Sequence, residues 1–285
     1  MSLAEYAARE GLHKVGGRPP IGSYLHDVWK RRRFIYSLAR FRIEAENGRN
    51  RLGMGWVVLK PLLNAAVYGT IFGILLGARS RPDQFILFLV IGVFFFEFFS
   101  SCFTSGAKSI TTNTNLVQSL SFPRMSLPLA LVTQRLLQFV PMIVIMIGLV
   151  LAFGNLPRWD WLLIIPLVGI FTVFNVGLTL ITARLTVHFR DLTQLLPFVS
   201  RFFFYTSGTF FSVERRFGEN ETIMAIADVQ PIHEFMDLAR SIMLTGPDYG
   251  IDSRYWLFSG AWALGVLIIG TVYFWAAEER YGRTD

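Results

Sequence analysis

Six runs of apolar residues, at about 56–77, 84–107, 127–152, 161–185, 193–213 and 257–276, dominate the chain. Each is near the ~20 residues that carry a helix across a bilayer. Backbone N–H and C=O groups find no water in hydrocarbon, so only helices and closed barrels can span it. The runs are continuous rather than alternating, which selects helix. The expectation is an all-α integral membrane protein with six transmembrane helices. Composition agrees: 53% of the 285 residues are hydrophobic and 16% are charged, against about a quarter charged in a soluble domain. The single cysteine, Cys102, lies inside an apolar run, so no intrachain disulfide is expected. The first twenty residues show no apolar stretch followed by a small-residue cleavage site, and the first span is expected to act as its own insertion signal.

Six spans place both termini on one side. The segment Lys30–Arg51 holds eight Lys/Arg, which makes that side cytoplasmic by the positive-inside rule. Lys108, Arg124, Arg190, Arg280 and Arg283 then also fall inside, while the outer loops 78–83 and 153–160 hold only Arg79, Arg81 and Arg158. The expected location is the plasma membrane, multi-pass, with both termini cytoplasmic. Residues 1–55 carry a net charge of +6 and residues 213–256 a net of −4. This basic N-terminal block fits a membrane-flanking segment better than a nucleic-acid surface.

Beyond a flexible tail at 1–21, the rest of the chain, 51–285, is read as one permeation domain preceded by a surface helix. Residues 22–50 read as an amphipathic helix in the interfacial plane, with Leu25, Val28, Trp29, Ile35, Leu38 and Phe41 between arginines. The cytosolic loop 108–126 carries Leu116, Val117 and Leu120 at helical spacing, so a short helix at about 111–121 must pack on its own bundle or on a partner. The outer segment 214–256 holds Asp228, His233, Glu234, Asp237 and Arg240. Those charges are too costly for a lipid-facing span, at about 2.5–3.5 kcal/mol each mid-membrane. Short helices dipping into the outer half of the bundle, or an extracellular cap, are the readings left.

Ionisable groups inside spans are functional candidates by default. Glu97 sits among five phenylalanines, and Ser101, Thr104 and Lys108 follow it on one helical face. Glu97 lies 10 residues from the inner end of its span, about 15 Å deep. Arg135 and Arg201 each lie 8 residues from theirs, about 12 Å deep. An ion pair of Glu97 with Arg135 or Arg201 is therefore expected. With Tyr205, which shares a helix face with Arg201, these residues form a candidate polar seam. Lys60 is close enough to the span's end to snorkel.

Enzymatic signatures are missing. The stretch SGAKS at 105–109 lacks the Gly-Lys pair of a phosphate-binding loop. The four histidines, at 13, 26, 188 and 233, are scattered, and no H-E-x-x-H or G-x-S-x-G occurs. A metal site and catalysis by this chain are not expected.

The order of short motifs adds a resemblance. Arg40-Phe41-Arg42, Leu52-Gly53, Trp56 and Pro61-Leu62 are followed by Phe122-Pro123-Arg124 and Leu127-Pro128, then by HFRDL at 188–192. Pro231 and Arg240 come last, with Gln230 where an Asn is usual. This series resembles the permeases of ABC transporters of the type-2 exporter class over about residues 35–280. Within that class it is most similar to exporters of polysaccharides and polyol phosphates, and the stretch RPPIGSYLHDVWKRRRF is similar to the actinobacterial cell-wall galactan exporter permeases.

The resemblance implies a homodimeric permease, served by two copies of a separate ATPase subunit that holds ATP and Mg, with no cofactor on this chain. It implies export of a polyprenyl-lipid-linked glycan of O-antigen, teichoic acid or galactan type. A coupling helix would present Asn115, Leu116, Val117, Leu120, Phe122 and Arg124 to the ATPase. An outer gate would use Pro231, His233, Phe235 and Arg240. Arg31, Arg32, Arg33, Arg40, Arg42, Arg49 and Arg51 would draw a lipid pyrophosphate to the entrance. The competing readings are a drug or small-lipid exporter of the same superfamily, and a membrane-embedded glycan-assembly enzyme or scaffold.

Overall fold

The centre of the bundle is the most apolar helix. A computed structural model describes residues 19–48, 51–75, 82–119, 122–247, 249–250 and 252–278. The sequence there folds into α1 (Ile21–Lys30), α2 (Arg32–Asn47), α3 (Gly55–Leu75), α4 (Phe85–Ala107), α5 (Thr114–Ser119), α6 (Ser126–Ala152), α7 (Ile164–His188), α8 (Leu192–Thr206), α9 (Val213–Phe217), α10 (Glu221–Val229), α11 (Pro231–Met243) and α12 (Ser253–Trp275). A helix that is hydrophobic all round belongs in an interior, and α4 packs against α3, α6, α7, α8 and α11. Its phenylalanines fill that interior: Phe98 stacks on Phe139 at 4.9 Å, and Phe95 meets the same ring edge-on at 5.2 Å.

Small residues set the closest helix contacts, as expected where lipid removes the hydrophobic drive. A Cβ on Gly177 of α7 would lie 2.5 Å from the α12 backbone at Val266 and Leu267. Thr179 on the same helix donates to the Cys102 carbonyl of α4 at 3.2 Å.

Among the described residues five helices are long and apolar enough to cross a membrane, where six spans were expected. The run at 193–213 does not continue as one helix. Helix α8 has 15 residues, about 22 Å, short of the ~30 Å hydrocarbon core. Its end is a turn at Ser207–Gly208, where Gly208 takes φ +71°, a conformation that favours glycine. The chain then folds back through α9, α10 and α11. That path packs α11 on α4, α7 and α12.

The surface segment is also divided. A break at Arg31 separates α1 from α2, where one helix over 22–50 was expected. Tyr24, Val28, Ile35, Ala39 and Ile43 turn inward, while Leu25, Trp29, Tyr36 and Phe41 stay exposed. Two helices with one wet and one apolar outer face suit the interfacial plane.

The short loop helix finds its cover within this chain. Val117 and Phe122 are buried in a cluster with Tyr24, Val28, Met125 and Phe274, and Leu116 packs on it. The Glu278 carboxylate ties that end together. It accepts from the Tyr24 hydroxyl at 2.7 Å and from Arg124 N–H at 3.0 Å, and it pairs with the Arg124 guanidinium at 3.5 Å.

Candidate functional site

Glu97 occupies the one polar position in the phenylalanine run, half-buried on α4. Ser101, one turn on, donates to its carboxylate at 3.2 Å. The Thr104 hydroxyl instead returns to the Ser100 carbonyl of its own helix at 2.7 Å, so the expected stripe shortens to Glu97 and Ser101. Glu97 lines two cavities, one at each edge of α3. The first also meets Trp56, Lys60, Arg135 and Gln138. The second is a groove of about 200 Å³ between α3, α4 and α8, with Asn64, Tyr68, Ser200, Arg201 and Tyr205 on its walls.

The expected pairing of Glu97 with Arg135 or Arg201 is not made. Helix α2 lies along α6 and delivers Glu46 to Arg135 at 3.2 Å. Gln138 accepts a second guanidinium hydrogen at 2.8 Å and donates to Glu46 at 3.1 Å. Among the described residues no ion pair reaches Glu97. Arg201 and Tyr205 are exposed on α8 beside the groove, and a Ser100–Ser200 hydrogen bond of 2.7 Å holds α8 to α4.

The other intramembrane polar cluster belongs to α11. Pro231 opens this helix at its first turn, where a missing N–H costs nothing. Phe235 is buried 4.5 Å from the Phe171 ring. His233 Nδ1 contacts the Ser207 carbonyl at 3.2 Å. Arg240 is buried and donates to the Thr209 carbonyl at 3.2 Å and the Phe88 carbonyl at 3.3 Å, with its guanidinium carbon 3.4 Å from the Phe88 ring centre. The Ser207 and Thr209 carbonyls lie in the turn that follows α8, and the Phe88 carbonyl lies in the first turn of α4. Irregular backbone at membrane depth is tolerated where protein groups satisfy it. His233 and Arg240 do that here.

Several residues in this network carry no advance signal. Arg158, in the outer loop, donates to the Ser241, Ile242 and Leu244 carbonyls at 3.1–3.3 Å and so caps the C-terminus of α11. Asn155 accepts from the Thr245 hydroxyl at 2.8 Å and donates to Gln84 at 2.7 Å. Gly92 is where Arg240 passes α4: a Cβ there would lie 2.5 Å from its Nη2. The partners are tens of residues away, and no local pattern announces them.

The described arginines named for the entrance are spread along the break after α1, helix α2 and the segment before α3. Arg31, Arg32, Arg33, Arg40 and Arg51 are exposed and Arg42 is half-buried. Arg40 pairs with Glu44 at 3.2 Å, an exposed contact that contributes little. In the loop, Asn115 is exposed, Leu116 is half-buried, and Arg124 is held by Glu278. Arg49, Leu120, Arg79, Arg81, Arg280, Arg283 and the tail at 1–18 lie outside the described residues. Among the described residues no group of three His, Cys, Asp or Glu converges as a metal site.

Known proteins place this arrangement. Residues 36–244 match the family model described as ABC-2 type transporter. The chain is 28% identical over 183 residues to an O-antigen export system permease protein RfbA of Myxococcus xanthus, covering 64% of this chain and 70% of that protein. It is 31% identical over 154 residues to an RfbA protein of Klebsiella pneumoniae, covering 54% of this chain and 59% of the relative. A second Klebsiella pneumoniae RfbA protein is 31% identical over 155 residues, with the same coverage of each chain. The chain thus spans less than two thirds of the length of both Klebsiella relatives. Because the matched region covers more than half of the chain, the chain belongs to the ABC-2 type transporter family.

Proposed function

We propose that this chain is the permease subunit of an ATP-powered exporter that carries a lipid-linked polysaccharide from the cytoplasm across the plasma membrane. The observation that carries the reading is the groove between α3, α4 and α8. It is lined by hydroxyls, an amide and charges, and it opens on the side where α3 and α8 expose large apolar residues, among them Val67, Ile71, Phe198 and Phe202. Half a channel of this kind is completed by a second copy related by symmetry. The similarity to O-antigen export permeases supports a glycan as the cargo. Aromatic faces and hydroxyls along the groove suit a polymer that slides without tight binding.

On this reading α8, the turn at 207–212 and the re-entrant arm together complete a sixth crossing, and both termini are cytoplasmic. Two copies of a separate ATPase subunit supply energy. Their closure reaches the spans through α5 and the Arg124–Glu278 link, moving packed helices as rigid bodies. Arg240, His233 and Phe235 hold the outer arm closed over the groove.

The test is export of a labelled lipid-linked glycan by proteoliposomes holding this chain and its ATPase. Arg201→Glu is expected to abolish export while the complex still hydrolyses ATP. Undiminished glycan export by that variant, or export of lipophilic drugs alone, would overturn the reading in favour of a small-molecule exporter.

A further inference from the structure

We propose that the cavity at the elbow between α2 and α3 binds the glycosyl phosphate head of a lipid, on the opposite edge of α3 from the export groove. This rests on the exporter reading above and names where that cargo first docks. The cavity, about 130 Å³, is walled by Trp56 and Lys60 of α3, Glu97 of α4, and Arg135 and Gln138 of α6, with Glu46 of α2 at its rim.

The donors and acceptors left over define the ligand. Arg135 Nε, on the cavity wall, is buried without a hydrogen-bond partner, and so is Nη2 of Arg42, which lies on α2 outside the lining but within electrostatic reach of Arg135. A buried N–H left unpaired is costly, and an anionic oxygen is the acceptor that satisfies a guanidinium best. Lys60, exposed at the cavity mouth, adds a third positive group. A bare anion is nevertheless a poor match, because two carboxylates share the walls. Glu46 is committed to Arg135 and Gln138. Glu97 receives only the Ser101 hydroxyl among the described residues, so it retains lone pairs for a donor. Hydroxyl groups beside a phosphate supply that donor, and the half-buried Trp56 ring offers an apolar face to a sugar. A phosphate bonded to a sugar satisfies all three sets of groups. A free phosphate or a neutral sugar satisfies only part of them.

Depth agrees. Trp56 and Lys60 lie in the first two turns of α3, within about 8 Å of its inner end, at the level of lipid headgroups. Anchoring by Trp56 and snorkelling by Lys60 would account for those two residues alone. They leave the unpaired guanidinium nitrogens of Arg42 and Arg135 unexplained. Because Glu97 lines both cavities, a head bound at the elbow lies one side chain from the groove, with α3 between them.

The test measures binding to the full chain with its ATPase in nanodiscs, using farnesyl phosphate bearing one hexose as the probe. Arg135→Gln and Lys60→Gln are expected to weaken the hexose-bearing and the bare farnesyl phosphate alike, by about tenfold or more. Glu97→Gln and Trp56→Leu are expected to weaken only the hexose-bearing probe, and Arg254→Gln on the outer surface neither. Lys60 is exposed and unpaired with Glu46, so its variant reports on the site even if Arg135→Gln unfolds. Probe binding that survives all four variants would overturn the elbow site and leave the exporter reading standing, as would absence of probe binding in a complex that still exports the full glycan. Loss of both binding and glycan export in the wild-type complex would overturn the exporter reading itself. Equal displacement of the probe by inorganic phosphate, or by phosphatidylethanolamine vesicles, would replace the sugar-phosphate assignment with a free-anion or a structural-lipid site.

Discussion

Arg240 and Arg201 are both arginines at membrane depth, and their surroundings are opposites. Arg240 is enclosed, its N–H groups spent on the Thr209 and Phe88 carbonyls and its face laid on the Phe88 ring. Arg201 is exposed beside a groove of hydroxyls and a half-buried glutamate. A charge buried against backbone carbonyls serves the fold, because removing it takes a donor from the turn at Thr209. A charge left open along a groove is expensive in lipid, so it persists where water or a polar cargo meets it. One region reads as a closure and the other as a path.

The largest expected effect lies in the closure. Arg240→Met takes the arginine donor from the buried Thr209 carbonyl, at about 1–3 kcal/mol, along with its contacts on the Phe88 carbonyl and ring, and should lower the thermal midpoint of the detergent-solubilised protein. An unchanged midpoint would erase the contrast between the two arginines. Gly92→Ala presses a methyl group against the Arg240 guanidinium. The expected loss is about 1–3 kcal/mol, as for other overpacked sites, read by the same melt. A neutral result would mean that the arginine has room to move.

In the groove the order reverses. Arg201→Gln is expected to change stability by less than about 0.5 kcal/mol, as surface substitutions usually do, while export falls severalfold. Glu97→Gln should behave likewise. Destabilisation as large as that of Arg240→Met would place both residues with the closure instead.

The smallest effect is a pH dependence at the Arg124–Glu278 link. Burial pushes the Glu278 carboxyl above its ordinary range, against the pull of the Arg124 and Tyr24 hydrogen bonds and the Arg124 charge. A raised folded-state value contributes stability that is complete below the ordinary glutamate range and is lost as pH rises through the folded value. Glu278→Gln is expected to flatten the fall in melting temperature from mildly acidic to neutral pH. An identical slope in the variant would remove Glu278 as its source.

The spans were legible because a run of about 20 apolar residues has only one backbone solution in lipid. The end of α8 was not. Phe210 and Phe211 continue the apolar run past Thr206, and the turn survives because Arg240 and His233, tens of residues later, satisfy its carbonyls. Glu97 and its partner Ser101 were recognisable on one helical face, but the commitment of Arg135 to Glu46 instead was not. Which carboxylate meets Arg135 depends on how α2 slides along α6, and no residue in either helix states that register. The loop helix showed its apolar stripe in Leu116 and Val117, yet the stripe alone does not distinguish a partner subunit from the cluster around Phe122 that covers it.

The central claim is that the groove beside Arg201 holds water or cargo in the assembled membrane complex. It is tested most directly by labelling single cysteines with a charged, membrane-impermeant thiol reagent in a Cys102→Ala background. Arg201 and Leu264 are both exposed in the isolated chain, so only their solvent distinguishes them. Arg201→Cys is expected to react during ATP turnover and Leu264→Cys to stay unlabelled. Equal protection of both positions would put Arg201 in lipid and contradict the account.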